Sequence, residues 1–412
     1  MALTQEVPLR LLIPVLLLFG AQVVQADWVR INNGLPRVEP VQSLAVNGST
    51  LFAGTVDSGI YRSDNNGDSW KKVNVGLRNP EVLALAVSGA NLFAGTVDSG
   101  LYRSIDNGNS WLRIKNGLTD SNVFALSVNG ANLFAGTLGR GVFRSTDNGN
   151  SWKPINKGLT DTSIFSLWSS GAYFFAGTRY GRIFRSRDNG DSWTRIRLGR
   201  FDTVYDLIVS DTTLFAGTYG GGVYRTDYRT AINDSSWTSI NSGLRNTRIS
   251  EFVISGATLF AGTYGGGVYR TAINGDSWTR INEGLRDTSV HALVVSGGDL
   301  FAGTWLDGVF RRPLREITLA LGPFGKARGD FGFRTFGLIR PGEGIRFETR
   351  QLGPVNLRVY NAEGKQGATL VNAVLGAGNH EAAFEAAGPQ GLYFLRLQSG
   401  GDSRTTRVVL GK

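Results

Sequence analysis

One phrase, Leu-Phe-Ala-Gly-Thr, begins at residues 51, 92, 133, 214, 259 and 300, with Phe-Phe-Ala-Gly-Thr at 174. The intervals are 41, 41, 41, 40, 45 and 41 residues. A period of that length marks a repeat architecture, in which each unit buries its faces only by stacking on its neighbours. After each copy comes a glycine turn and an aromatic-Arg strand, from Ile60-Tyr61-Arg62 through to Val309-Phe310-Arg311. A polar turn and a Trp strand such as Trp111-Leu112-Arg113-Ile114 follow. Four short strands in roughly 40–45 residues make one blade of a β-propeller. Blades bury both faces, so their strands need not alternate polar with apolar. The small Ala and Gly of the repeated phrase suit the crowded region near the axis.

An open solenoid could use the same repeat, and the chain ends decide against it. The seventh copy supplies three strands, then lacks both the polar turn and the Trp strand. A lone Trp strand, Trp28-Val29-Arg30-Ile31, stands ahead of the first copy. Joined, they complete a seventh blade and leave no open edge. The expected class is therefore all-β: a seven-bladed propeller over 27–312, its last blade closed by the N-terminal strand. The chain has no Cys, so thiolate metal sites and disulfides are excluded and the ring has no covalent staple. With 56 Gly, 11 Pro and no three-residue period, collagen is excluded and many tight turns are implied.

The turn before the Trp reads Ser-Ile-Asp-Asn-Gly-Asn-Ser-Trp at 104–111, and it recurs with Asp147 and Asp188. This resembles the Asp-box, or bacterial neuraminidase repeat, of propellers that include sialidases, sortilin-like receptors, xyloglucan-active hydrolases and photosystem assembly factors. Asp106, Asp147 and Asp188 are expected to accept backbone N–H bonds across the hairpin while Asn-Gly supplies left-handed turn residues. Asn65 and Ile273 replace the Asp in two repeats, and the 230–237 turn lacks the Gly. A motif that tolerates such losses within one molecule is a fold device. One carboxylate per turn is a thin ligand set for calcium, so no metal and no cofactor are expected.

Residues 1–26 carry Arg10, an apolar stretch from Leu11 to Val24 and small residues before Asp27. They read as a cleavable export signal, too short and too interrupted by Pro14 and Gly20 for a spanning anchor. Residues 313–343 read as a linker with one strand. From Gly344 to Lys412, short strands separated by turn clusters suggest a small Ig-like sandwich. Its run from Val355 to Lys412, with Leu-Arg-Val-Tyr-Asn, Ala-Gly-Asn-His and Gly-Leu-Tyr-Phe-Leu-Arg-Leu, resembles the C-terminal sorting domain of type IX secretion cargo. That resemblance implies the type IX machinery as a partner, passage through the periplasm, and a final place outside a Gram-negative cell or on its surface. No transmembrane span is expected once the signal is removed.

The formal charge of +10 invites a nucleic-acid reading. However, only eight of the 43 basic residues are Lys, and seven Arg sit at one repeated position (62, 103, 144, 185, 225, 270, 311) spread round the ring. A structural role for those seven, and no nucleic acid, follows. In near-identical blades a site should appear where the repeats disagree. On the face opposite the Asp-box turns, the loops after Leu-Phe-Ala-Gly-Thr hold Val56 and Val97 in two blades. Then come Arg140, the Arg179-Tyr180-Gly181-Arg182 run, Tyr219, Tyr264, and Trp305 with Asp307. An aromatic arc beside arginines stacks sugar rings or holds a peptide. The sialidase set of an arginine triad, a Tyr-Glu pair and an Arg-Ile-Pro segment does not occur. Glu251 and Glu283 read as solvated surface carboxylates, and His291 as scaffold. The first expectation is a non-catalytic module binding a glycan or surface protein. Alternatives are a secreted glycoside hydrolase and an assembly factor of the photosystem type.

Overall fold

The computed structural model describes residues 27–319, apart from 79, 172, 199–201 and 231–235, and a set of strands between 332 and 410. The expected signal at 1–26 lies outside the described residues. Seven four-stranded antiparallel sheets occupy the first unit. Their inner strands are Val41–Asn47, Val82–Ser88, Val123–Asn129, Ile164–Ser170, Val204–Ser210, Ile249–Ser255 and Val290–Ser296, which number blades one to seven. Blade seven takes its outer strand from the N-terminus: Val29 pairs with Arg311 and Arg30 with Phe310. The inner strands of blades one and seven pack side by side, so the ring is closed.

The second strand of every blade, Leu-Phe-Ala-Gly-Thr, is buried almost throughout. Its glycine faces the β-branched residue that opens the next blade's inner strand. A methyl placed on Gly136 would lie 2.6 Å from Ile164 Cγ2, and one on Gly303 2.6 Å from Val41 Cγ1 across the closing seam. The glycine is there for close approach between blades. Gly136→Ala is expected to cost about 1–3 kcal/mol through overpacking, read as a lower urea midpoint at unchanged slope.

Two repeated polar devices tie blade to blade, and a third works within a blade. Arg62 donates to Asn107 O (2.9 Å), Arg103 to Asn148 O (2.8 Å), Arg144 to Asn189 O (2.7 Å) and Arg225 to Gly275 O (3.0 Å). Arg185 reaches Tyr228 O, and Arg311 reaches Asn66 O across the seam (2.8 Å). Six of the seven repeated arginines thus bond the turn region of the following blade. For Arg270 the following blade has no such turn; the helix Leu314–Leu319 stands there, with Leu314 and Ile317 buried in the core shared by blades six and seven. The indole N–H groups of Trp70, Trp111, Trp193 and Trp278 donate to a carbonyl of the preceding blade at 2.6–2.8 Å. Asn32 closes blade seven, donating to Asp307 O (2.7 Å) and accepting from Val309 N (2.8 Å), as Asn156 does in blade three.

The Asp residues of the polar turn do what their position implies. Asp106 Oδ1 accepts from Ser110 N (2.9 Å) and its other oxygen from the Ser110 hydroxyl (2.5 Å), which holds the carboxyl at a pKa of about 2. Asn65 reproduces the turn in blade one, its Oδ1 accepting from Ser69 N at 3.0 Å. A neutral amide does the same job, so the turn needs an acceptor rather than a charge.

The second unit is a pair of β-sheets, one of three strands and one of five. They share a core of Ile345, Phe347, Val355, Leu357, Val359, Leu395 and Leu397. Of the segment 313–343, the described part holds the helix and two short strands, Gly332–Phe333 and Gly337–Ile339, which join these sheets.

Candidate functional site at the channel mouth

Every inner strand carries a register shift at its second residue, a bulge that leaves that residue unpaired with its neighbour strand. Taken in blade order, the bulged residues are Gln42, Leu83, Phe124, Phe165, Tyr205, Ser250 and His291. They form a collar round the inner strands. Phe124, Phe165 and Tyr205 touch in sequence, with ring centroids 4.8 and 5.6 Å apart. At blade six the small Ser250 turns its hydroxyl to Val290 O, and the ring in that sector is Tyr264 from the loop. Tyr264 contacts Tyr205 (5.2 Å), Tyr219 (5.8 Å) and His291 (4.6 Å). His291 stacks on Trp305 at 4.9 Å and 22°. Its Nδ1 lies 2.8 Å from Gln42 Oε1, which brings the collar back to blade one.

The loops are placed by backbone bonds. Tyr219 N donates to Thr203 O (3.0 Å), Tyr264 N to Arg248 O (2.9 Å) and Trp305 N to Ser289 O (3.0 Å). Asp287 takes Leu306 N at 2.6 Å, fixing the Trp305 loop. Tyr219 and Trp305 keep 42% and 40% of their surface open, so both offer a face to a ligand. The Arg248 guanidinium lies over the Tyr219 ring, 5.1 Å from its centroid.

Next to the collar on blades five and six stand Asp206 and Glu251. In the other blades this register holds Ser43, Ala84, Ala125, Ser166 and Ala292. Asp206 accepts from Leu207 N (2.8 Å) and Phe252 N (2.6 Å), the second bond crossing to the neighbouring blade. Burial pushes its pKa up to about 7 against those donors. Burial and the charge of Asp206 hold Glu251 well above the carboxylate range. At neutral pH the pair therefore retains a proton. Burial also raises the Tyr264 phenol, with Tyr205 and Glu251 adding to it, and lowers His291 to about 4. The imidazole is neutral at the collar.

Of the residues expected to bind, the structure brings Tyr219, Tyr264 and Trp305 together. Arg179 stands beside Tyr205, where its charge acts on the phenol. Tyr180 and Arg140 are exposed on neighbouring loops. Arg182 is drawn to Asp161 (3.8 Å) and Thr160 O (3.1 Å), and Asp307 is ion-paired to Arg30 at 2.7 Å, so both serve blade contacts. Glu251 corrects the expectation of a solvated carboxylate: it lies on an inner strand, packed beside Asp206. Glu283 is exposed, as expected, and its carboxylate also pairs with the fully buried Arg312, at 3.1 Å. His291 is part of the collar, a position the scaffold reading did not foresee. Asp206, Tyr205 and Arg248 were missed, although comparing inner strands instead of loops exposes Asp206 and Glu251 as the two carboxyls in a row of Ser and Ala. Among the described residues no group of three or more potential metal ligands occurs.

No protein-family model and no curated protein matches the chain. Solved structures do. The extracellular domain of the putative hybrid two-component system BT3049 from B. thetaiotaomicron is 15% identical with a TM-score of 0.59, over 94% of this chain and 57% of that one. YCF48 bound to a D1 peptide is 12% identical with a TM-score of 0.57, over 70% and 97%. The GH74 enzyme of Niastella koreensis is 15% identical with a TM-score of 0.56, over 92% and 74%. At these identities the likeness is one of fold: the chain is a β-propeller.

Proposed function

We propose that the propeller is a non-catalytic binding module that takes a glycan or a segment of a surface protein at the channel mouth over blades five to seven. The observation that carries this is the run of Tyr219, Tyr264, His291 and Trp305, rings in contact of which Tyr219 and Trp305 are half-open; in the loop slot of Tyr219, Tyr264 and Trp305, blades one to three place Val or Leu and blade four Arg179. Such rings bind by area at small entropic cost. A peptide-bound YCF48 and an extracellular propeller among the structural neighbours support the reading. The N-terminal segment and the C-terminal sandwich, by their resemblances, would deliver the module through the type IX route to the cell surface. No helix among the described residues is long and apolar enough to cross a membrane.

A glycan and surface-protein array probed with the whole chain tests this. Tyr219→Ala combined with Trp305→Ala should weaken any hit at least tenfold without lowering the melting temperature, since both rings are half-exposed. Unchanged binding would move the site elsewhere. The paired carboxyls of blades five and six favour a second reading, a glycoside hydrolase. Turnover of a glycan that stops in Glu251→Gln would establish it.

A further inference from the structure

Asp206 holds Phe252 N of the neighbouring blade, whereas the other five blades carry only Ser or Ala at the register of Asp206 and Glu251. Among the described residues no ion pair reaches either carboxyl, and Glu251 receives no hydrogen bond from them. Two acids packed together without a cation are a large electrostatic penalty. The groups round them are aromatic: Tyr205 and Tyr264 beside the carboxyls, Tyr219, His291 and Trp305 further out. Ring faces attract organic cations. The chain's own Arg248 guanidinium already lies over Tyr219, showing that this wall holds one. Other charged groups near the rings are Arg179 beside Tyr205, Asp287 beside His291 and Asp202 against the Gly220–Gly221 turn.

Resting on the binding-module reading, we propose that the mouth recognises a primary alkylammonium, from an amino sugar or a lysine side chain. Its charge sits over Asp206 and Glu251 and its apolar flank lies against Tyr219, Tyr264 and Trp305. The entering cation displaces the proton that the two carboxyls retain, so binding releases a proton, and for a lysine ammonium, which stays charged throughout, it strengthens as pH rises from 6 to 8.

Calorimetric titration of the whole chain with a glucosamine trimer, its N-acetylated counterpart and lysine amide tests this directly. The amines should bind and the acetylated trimer should not, with the observed heat changing between buffers of different ionisation enthalpy. A response to the trimer alone or to lysine amide alone identifies the source of the amine. Glu251→Gln, which keeps shape and should melt no lower than the parent, should weaken binding at least tenfold and abolish the buffer dependence. Equal binding of the acetylated trimer, full binding by Glu251→Gln, or no binding of either amine overturns the proposal. In those cases the array result with the Tyr219 and Trp305 variant still decides separately whether the mouth binds anything.

Discussion

Truncating the indole that closes the ring should be among the most damaging single changes in the molecule: Trp28→Ala is expected to lose about 3–5 kcal/mol. Trp28 is 3% exposed and packs with Phe260 and Ile281 of blade six, Phe310 of blade seven and Ile317 of the helix. Its indole N–H donates to Ile281 O at 2.6 Å and its backbone N–H to Glu283 O at 2.8 Å. The same substitution at Trp152 removes a comparable side chain, but that residue and its strand belong to a covalently continuous blade. Its indole bonds only three residues back, to Gly149 O. Hydrogen exchange should therefore separate the two. In Trp28→Ala the fast-exchanging amides should be those of 29–31 and 309–313, with most of the ring still protected. Trp152→Ala should leave those amides slow.

The second large effect is a gain. Glu251→Gln should raise stability at pH 8, a difference that fades toward pH 4–5. The sign follows from linkage. The folded chain holds this carboxyl's pKa above its unfolded value, so below the unfolded value both states are protonated and nothing is lost. As pH rises the unfolded chain ionises first, and the folded state is penalised increasingly until its own group ionises. Glutamine removes that dependence. Denaturant melts of both chains from pH 4 to 9 check this. Parallel stability curves would mean that Glu251 is hydrated in the folded state.

A residue can give up stability in this way only if the fold does not depend on it, and that bears on what was readable in advance. The ring and its closure were legible because they rest on repetition. Seven glycines, seven arginines and a displaced Trp strand each occupy one register, and the glycines, six of the arginines and the strand prove to contact the neighbouring blade. Tyr219, Tyr264 and Trp305 were legible as the loop positions where the blades diverge. Asp206 and Glu251 diverge just as sharply, yet they sit inside runs such as Val-Tyr-Asp-Leu-Ile-Val, which read as blade interior. What hides them is the bulge at Tyr205 and its counterparts. One extra residue resets the alternation of side chains, and no Gly, Pro or Asn marks where it occurs. Arg182 and Asp307 show the opposite difficulty. A charged residue on a loop looks available until its partner on the neighbouring element, Asp161 or Arg30, is placed beside it.

On the proposed function, binding belongs to the place where the blades differ, the mouth over blades five to seven. Hydrogen–deuterium exchange of the whole chain, with and without the strongest hit from the array, tests it most directly. Slowed exchange is expected only in 203–207, 217–221, 248–252, 263–267, 289–292 and 304–307. Protection centred instead on blades one to three, or on the turns that carry Asp106, Asp147 and Asp188, would contradict it.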